Sequence, residues 1–271
     1  MTATRQVALV TGASAGIGKA AAIALAAAGF QVIGTGRNTA GVTAPAGVTS
    51  LDLDVNSDES VASAVTEVID RFGRIDVLVN NAGVGATGAA EEFSVTRTQD
   101  VFDINVYGVM RMTKAVLPHM RTQRRGRIIN VSSLSGFVPS PFMAIYTSTK
   151  HALEGYSESL DHEVRDHGVR ILLVQPGPIN TPFAANAVQA DTPLPLYALG
   201  RRTFDEVFAK EASGGDDPAV VAKVIVAAAT DRNPKMRRTA GSAAARISVL
   251  RRVLPARTFD RVVRRFYRMP G

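Results

Sequence analysis

Tyr146 and Lys150 stand four residues apart in a segment of helical periodicity, so their side chains share one helix face. A phenol with a pKa near ~10 is a poor base at neutral pH. A neighbouring ammonium favours the phenolate and lowers that value, which suits the pair to giving a proton to a carbonyl or taking one from an alcohol. Ser133 precedes Tyr146 by thirteen residues and offers a hydroxyl to the same substrate oxygen as negative charge develops on it. The pattern describes acid–base chemistry on a carbonyl/alcohol pair.

A second constellation lies near the start of the chain, in Thr11-Gly12-Ala13-Ser14-Ala15-Gly16-Ile17-Gly18. Gly12 permits a tight turn, Gly16 lets a pyrophosphate approach the backbone, and Gly18 allows close packing of helix on strand. The unpaired N–H groups and positive end of the following helix then hold the phosphates. The loop directly follows an apolar strand, which points to nucleotide binding.

These groups need a scaffold, and the apolar pattern supplies one. Residues 7–10, 32–35, 48–53, 77–79, 128–131 and 171–174 are short, β-branched-rich runs that read as strands buried on both faces. Residues 18–28, 58–72, 96–120 and about 144–166 alternate with them and carry helical periodicity. The alternation predicts an α/β fold: one Rossmann-type, doubly wound parallel sheet with helices on both faces, spanning 1–271 as a single domain. Residues 178–217 are irregular except for a helical pattern over 199–211, and read as a substrate-binding loop. Residues 218–230 predict a helix. A C-terminal extension over 232–271 holds two basic amphipathic helices interrupted at Pro255.

Taken in order and spacing, the chain resembles the short-chain dehydrogenase/reductase family. The resemblance covers residues 6–183 and rests on the glycine loop, Asn80-Asn81-Ala82-Gly83, Asn105, Ser132-Ser133, Tyr146-x-x-x-Lys150 and Pro176-Gly177. Residues 101–121 and 146–160 look most like the branch acting on hydroxysteroids and retinoids. The resemblance implies hydride transfer between a nicotinamide and a ketone/secondary alcohol, with Asn105, Ser133, Tyr146 and Lys150 as the catalytic set. Lys150 would also bind the nicotinamide ribose, and Asn105 would hold a water in a proton relay. Asp54 matches an acid at the adenine amino group, Asn81, Ala82 and Gly83 a wall beside the adenosine, and Ile179 and Thr181 contacts to the carboxamide. Ser14, Ala15, Ile17, Val55, Pro176 and Gly177 complete the implied cofactor set. Ser132 reads as a structural hydrogen-bonder, and Asn80 serves equally as a strand-end cap. The family further implies a homodimer or homotetramer through the long helices.

The cofactor choice turns on the end of the second strand. In folds of this type an acid there binds the adenosine ribose and repels a 2′-phosphate. Here that position is Gly36, and Arg37 follows with a guanidinium able to grip phosphate bidentately. Asn38 adds a donor. NADP(H) is expected over NAD(H). The flanking Val84, Leu134, Val138, Phe142, Met143 and Phe183 predict an apolar mouth and hence a lipophilic substrate.

Composition narrows the classes. Zero cysteines exclude thiolate metal sites and a cysteine nucleophile, and His119, His151, His162 and His167 form no ligand-like cluster. His151 is assigned to packing or an interface, and no metal is expected. No apolar run reaches the roughly eighteen residues of a membrane span, and the first residues lack a signal-peptide pattern. A cytoplasmic enzyme is expected. Of the 31 Lys/Arg and 24 Asp/Glu, twelve basic residues and one acid lie from Arg232 onward, which leaves the first 231 residues at 19 − 23, or −4. The basicity therefore belongs to the tail, and no nucleic-acid partner is expected. The tail is assigned to packing on a partner subunit, ahead of contact with an anionic membrane. The alternatives are a catalytically silent nucleotide sensor of the same fold, or a peripheral membrane or nucleic-acid binder acting through the tail.

Overall fold

Parallel strands buried on both faces dictate the core. The computed structural model describes residues 5–41 and 43–269. Its strands are β1 (Val7–Val10), β2 (Gln31–Gly36), β3 (Val48–Asp52), β4 (Val77–Asn80), β5 (Ala86–Thr87), β6 (Gly126–Val131), β7 (Val169–Pro176), β8 (Val188–Gln189) and β9 (Arg237–Ala240). Seven of them form one all-parallel sheet in the order β3-β2-β1-β4-β6-β7-β9, while β5 and β8 pair separately. The chain runs outward from β1 to β3, then returns to place β4 on the other side of β1. A crevice therefore opens beyond the carboxyl ends of β1 and β4.

The helices are α1 (Gly16–Ala27), α2 (Asp58–Phe72), α3 (Val95–Phe102), α4 (Gly108–Thr122), α5 (Ala144–Val164), α6 (Ala198–Ser213), α7 (Pro218–Thr230), α8 (Ser242–Val253) and α9 (Ala256–Phe266). Side-chain alternation along each strand feeds both faces of the sheet. Val7, Leu9, Ile128 and Ile171 pack with Val65 of α2 and Met112 and Val116 of α4. Ala8, Val10, Ile129 and Leu172 pack with Leu25 of α1 and Ile225 of α7.

Three features depart from the sequence expectation. The segment 96–120 is interrupted by a π-helical turn, Asp103–Tyr107, between α3 and α4. Strand β3 lies on the sheet edge and is only half-buried. Strand β9 was not expected, since Arg237-Arg238-Thr239-Ala240 has no apolar run. It pairs with β7, and Arg237 is held by Glu154 and Glu158 of α5 while Arg238 pairs with Asp231.

Segment 178–217 is tied to the body by a buried carboxylate. Glu92 accepts from Ala89 N–H, from Leu194 N–H at 2.7 Å and from Arg201 of α6, which holds its carboxyl below the usual range. Phe142, in the left-handed region at φ +55°, packs its ring against Phe204 and Tyr197 of the same segment.

The α5–β7 junction is fixed by Asp161, which is fully buried yet ionised. Burial alone would raise its pKa, but bonds from Arg170, the Ile171 N–H and Arg165 outweigh that and hold it below the carboxylate range. Asp161→Asn should cost about 2 kcal/mol in urea unfolding at pH 7, discounted because both arginines remain partly in water. A folded-state pKa below the unfolded value contributes stability above about pH 4 and loses it as pH falls further, so the gap between the two proteins should close in acid. An equal gap at pH 7 and pH 3 would contradict this account.

Candidate active site

The crevice is built around the loop between β1 and α1. Gly12 and Gly16 adopt φ +65° and +53°. A Cβ on Gly12 would sit 3.0 Å from the Ala82 backbone, and one on Gly18 only 2.1 Å from the Gly12 carbonyl oxygen. Thr11 Oγ1 accepts from the N–H groups of Asn81 and Ala82, each at 3.0 Å. The Asn81 amide donates to the Thr11 and Gly12 carbonyls at 3.0 and 3.1 Å. Asn81 thus stitches the loop after β4 to the glycine loop, and it lines the crevice beside Ala82 and Gly83. The first turn of α1 has no side-chain cap and no acid, so its amides face the crevice unopposed.

One cavity of about 1130 Å³ runs from this loop past the reacting groups to the C-terminal helices. It is lined at one end by Gly36, Arg37, Asp54 and Val55, and along the middle by Gly12, Ser14, Ala15, Gly16 and Ile17. Ala82, Gly83, Pro176, Gly177, Ile179 and Thr181 follow. Uncapped helix amides, glycines that leave room for phosphate and a guanidinium at the far end fit a dinucleotide. Three expected cofactor residues stand apart from the lining, among them Lys150, which lies behind Tyr146 with its ammonium on the Val131 carbonyl. Gly18 packs beneath the loop, and Asn38 accepts from the Ala40 N–H, closing its own turn. The strand register also places an acid unnoticed in the sequence, Asp52, beside Gly36. Its carboxylate accepts from the Thr39 N–H and hydroxyl at 2.7 and 2.6 Å. Arg37 has no acidic partner among the described residues.

At the reacting end, Ser133 leaves β6 and heads a short turn, its Oγ accepting from Ser135 N–H at 3.1 Å. Tyr146 and Lys150 lie one turn apart on α5, both buried, with the Lys150 ammonium 5.7 Å from the Tyr146 ring centre. Lys150 donates to the Val131 carbonyl at 2.9 Å. Burial pushes the Tyr146 phenol up to about 12, with Ser133 pulling the other way. Burial brings Lys150 down to about 8, opposed by Glu154. The net direction is thus opposite to the lowering expected from Lys150: burial raises the phenol's pKa, and the ammonium is bonded to a backbone carbonyl. Burial therefore favours the neutral phenol at Tyr146.

Asn105 sits in the π-helical turn behind this pair. Its Oδ1 accepts from Val84 N–H, and its amide donates to the Val84 carbonyl and to Thr149 Oγ1. Both amide hydrogens are used on protein, so the side chain is a strut between the loop after β4 and α5. Asn80 is likewise no strand-end cap: it donates to Asn130, which donates to Ser157 of α5. Ser132 corrects another expectation, since its buried Oγ has no hydrogen-bond partner.

Val84, Leu134, Val138, Met143 and Phe183 line the cavity as expected, whereas Phe142 stands behind the wall. The sequence reading missed the outer wall, which α6, α8 and α9 supply through Phe208, Ile247, Leu250, Phe259 and Val263. Tyr267 stacks on Phe204 and donates to Ser140 Oγ at 3.3 Å. The inner side of the tail's apolar stripe, Ile247, Phe259, Val263 and Tyr267, thus packs on its own chain, while Val253, Val262 and Phe266 remain exposed. Amphipathicity announced that stripe, but periodicity cannot say which surface covers it. The tail's last two residues, Pro270 and Gly271, lie outside the described residues. His151 is exposed, with a ring nitrogen against the Thr147 carbonyl, and among the described residues no group of acids and histidines could hold a metal.

Comparison with known proteins agrees with this architecture. The family model for short chain dehydrogenases matches residues 6–192. A 3-ketodihydrosphingosine reductase of Bacteroides thetaiotaomicron is 38% identical over 238 residues, covering 87% of this chain and 88% of that protein. Retinol dehydrogenase 8 of Bos taurus is 37% identical over 257 residues, covering 85% and 80%. The crystal structure of a short-chain dehydrogenase from Streptomyces avermitilis superposes with a TM-score of 0.81 at 34% identity, covering 97% of this chain and 98% of that one. Further solved neighbours were determined with NAD or with NADP. The chain belongs to the short-chain dehydrogenase family and is an oxidoreductase.

Gly18→Ala tests the loop geometry. The added methyl must displace the Gly12 carbonyl, and overpacking of this kind costs roughly 1–3 kcal/mol. Thermal unfolding should shift down by several degrees and dinucleotide affinity should fall at least ~10-fold, measured by calorimetry. Wild-type values for both would show that the loop has slack it should not have.

Proposed function

We propose that this protein is an NADP(H)-dependent oxidoreductase that interconverts a lipophilic ketone and its secondary alcohol. The observation that carries the reading is that Ser133 and Tyr146 line the inner end of the crevice beside apolar side chains, with the Lys150 ammonium buried 5.7 Å from the Tyr146 ring centre. The nicotinamide, when bound, supplies or accepts the hydride. Tyr146 Oη gives its proton to the carbonyl oxygen during reduction and recovers it from the alcohol during oxidation. The phenol's pKa of about 12 keeps that proton in place at neutral pH. Ser133 Oγ donates to the same oxygen and steadies the charge developing there. Lys150, anchored through Val131, presents its ammonium to the ribose and to the phenol as its proton leaves.

Tyr146→Phe should fold and bind cofactor as the wild type does while kcat drops ~10²–10⁴-fold, the usual contribution of a positioned acid–base group. Retention of more than half of wild-type kcat on a carbonyl panel would refute the role.

The NADP(H) preference rests on two observations. Gly36 offers no carboxylate at the end of β2, and Asp52 beside it is occupied by Thr39. Arg37 is exposed at the crevice with no acidic partner among the described residues, free to take a 2′-phosphate. A Cβ on Gly36 would meet only Thr39 Cγ2, at 3.7 Å, so a side chain fits there. Arg37→Ala should lower the NADP(H)/NAD(H) ratio of kcat/KM by at least ~10-fold, and Gly36→Asp should move it further toward NAD(H). Equal use of both cofactors by the wild type would overturn this assignment.

A further inference from the structure

The tail is only partly explained by its role as cavity wall. Its inner face is used: Phe259 is buried, and Val263 and Ile247 line the cavity. Its outer face is not. On α8 the residues Ala245, Val249, Leu250 and Val253 recur at helical spacing and point to solvent, with Val249 61% and Val253 74% exposed. Phe266 and Val262 of α9 stand 49% and 44% exposed at the cavity rim. Around these aliphatics lie Arg252, Arg257, Arg261 and Arg265, all exposed and none with an acidic partner among the described residues. Asp260 is the single acid from residue 232 onward.

We infer that the outer face of α8 and α9 docks on an anionic phospholipid bilayer, with the rim of the substrate cavity turned to the lipid. Two chemistries are present together, and the occupant must satisfy both. Aliphatic side chains enter the boundary between headgroups and acyl chains, while the guanidinium groups meet lipid phosphates. A nucleic acid takes the charge and offers nothing to Val249 and Val253. A second copy joined by a two-fold axis would set this patch against itself and bring like charges together. The body of the chain, at −4, turns away from an anionic surface while the tail is drawn to it, so charge also orients the molecule. Leu250, Val262 and Phe266 belong both to the exposed face and to the cavity lining, so a lipophilic substrate passes between bilayer and site without crossing bulk water. That consequence rests on the lipophilic-substrate reading; the docking itself does not.

The test is cosedimentation of the full chain with phosphatidylcholine vesicles and with vesicles containing about 30% phosphatidylglycerol, near 0.1 M salt. Binding is measured without substrate, so it fails independently of the catalytic reading. The wild type should sediment with anionic vesicles and not with neutral ones. The triple variant R257Q/R261Q/R265Q should lose on the order of 100-fold in partitioning, about five-fold for each charge near the surface. The pair V249S/V253S should weaken it as well, by at least ~5-fold. Both variants should keep kcat/KM on a water-soluble ketone within two-fold of wild type, since none of the five residues lines the cavity. Absence of wild-type binding to anionic vesicles overturns the proposal outright. Vesicle binding indifferent to the valine pair, with duplex DNA held as tightly, would reduce the face to a polycation. A change in particle mass in the variants, with vesicle binding intact, would make it an interface between copies.

Discussion

The lock between Thr11 and Asn81 is the contact on which the site depends. Each strand of a parallel sheet delivers its loop to the same edge, but pairing of strands alone leaves those loops free to splay. Here the Thr11 hydroxyl takes two backbone amides from the neighbouring loop, and the Asn81 amide takes two carbonyls in return. The exchange fixes the distance between β1 and β4 at the point where the sheet changes direction. Gly18, pressed against the Gly12 carbonyl, then sets the approach of α1. A side chain at either glycine would break a geometry that four hydrogen bonds define.

From that fixed edge a second chain of polar contacts reaches the reacting groups. Asn80 bonds to Asn130 and Asn130 to Ser157, while Asn105 joins Val84 to Thr149, whose hydroxyl donates to the Tyr146 carbonyl. Helix α5 is thereby referenced to β4 and β6 through buried amides. Such networks hold position because breaking a buried amide's hydrogen bond is costly, although the Asn80 Oδ1 itself is left without a partner among the described residues. The π-helical turn at Asn105 is the local deformation that puts that side chain where both loops can use it.

Much of this was legible in the residues. Short β-branched runs and alternating helices define the sheet, and the glycines after β1 are positions where only a missing Cβ allows the backbone geometry. The parts that were not legible share a cause: each depends on a partner distant in sequence. Strand β9 is four residues with two arginines, and only pairing to β7 and the carboxylates of α5 make it a strand. The balance of burial against charge at Tyr146 cannot be read from a four-residue spacing. The tail's apolar stripe was visible, but its destination was not. Asp52 looks like a turn residue until the β2–β3 register brings it beside Gly36.

Glu92 gives the segment over the site an unusual mechanical character. Its one carboxylate bonds Arg201, and the Leu194 and Ala89 amides, while its backbone carbonyl takes the Thr192 N–H and hydroxyl. These contacts converge on a fully buried side chain, so loosening one leaves the others strained around an uncovered charge. The segment accordingly releases as a unit or stays shut, and it does not peel. The segment is therefore pinned at one buried charge, whereas on the tail side only Leu254 and Pro255 separate α8 from α9.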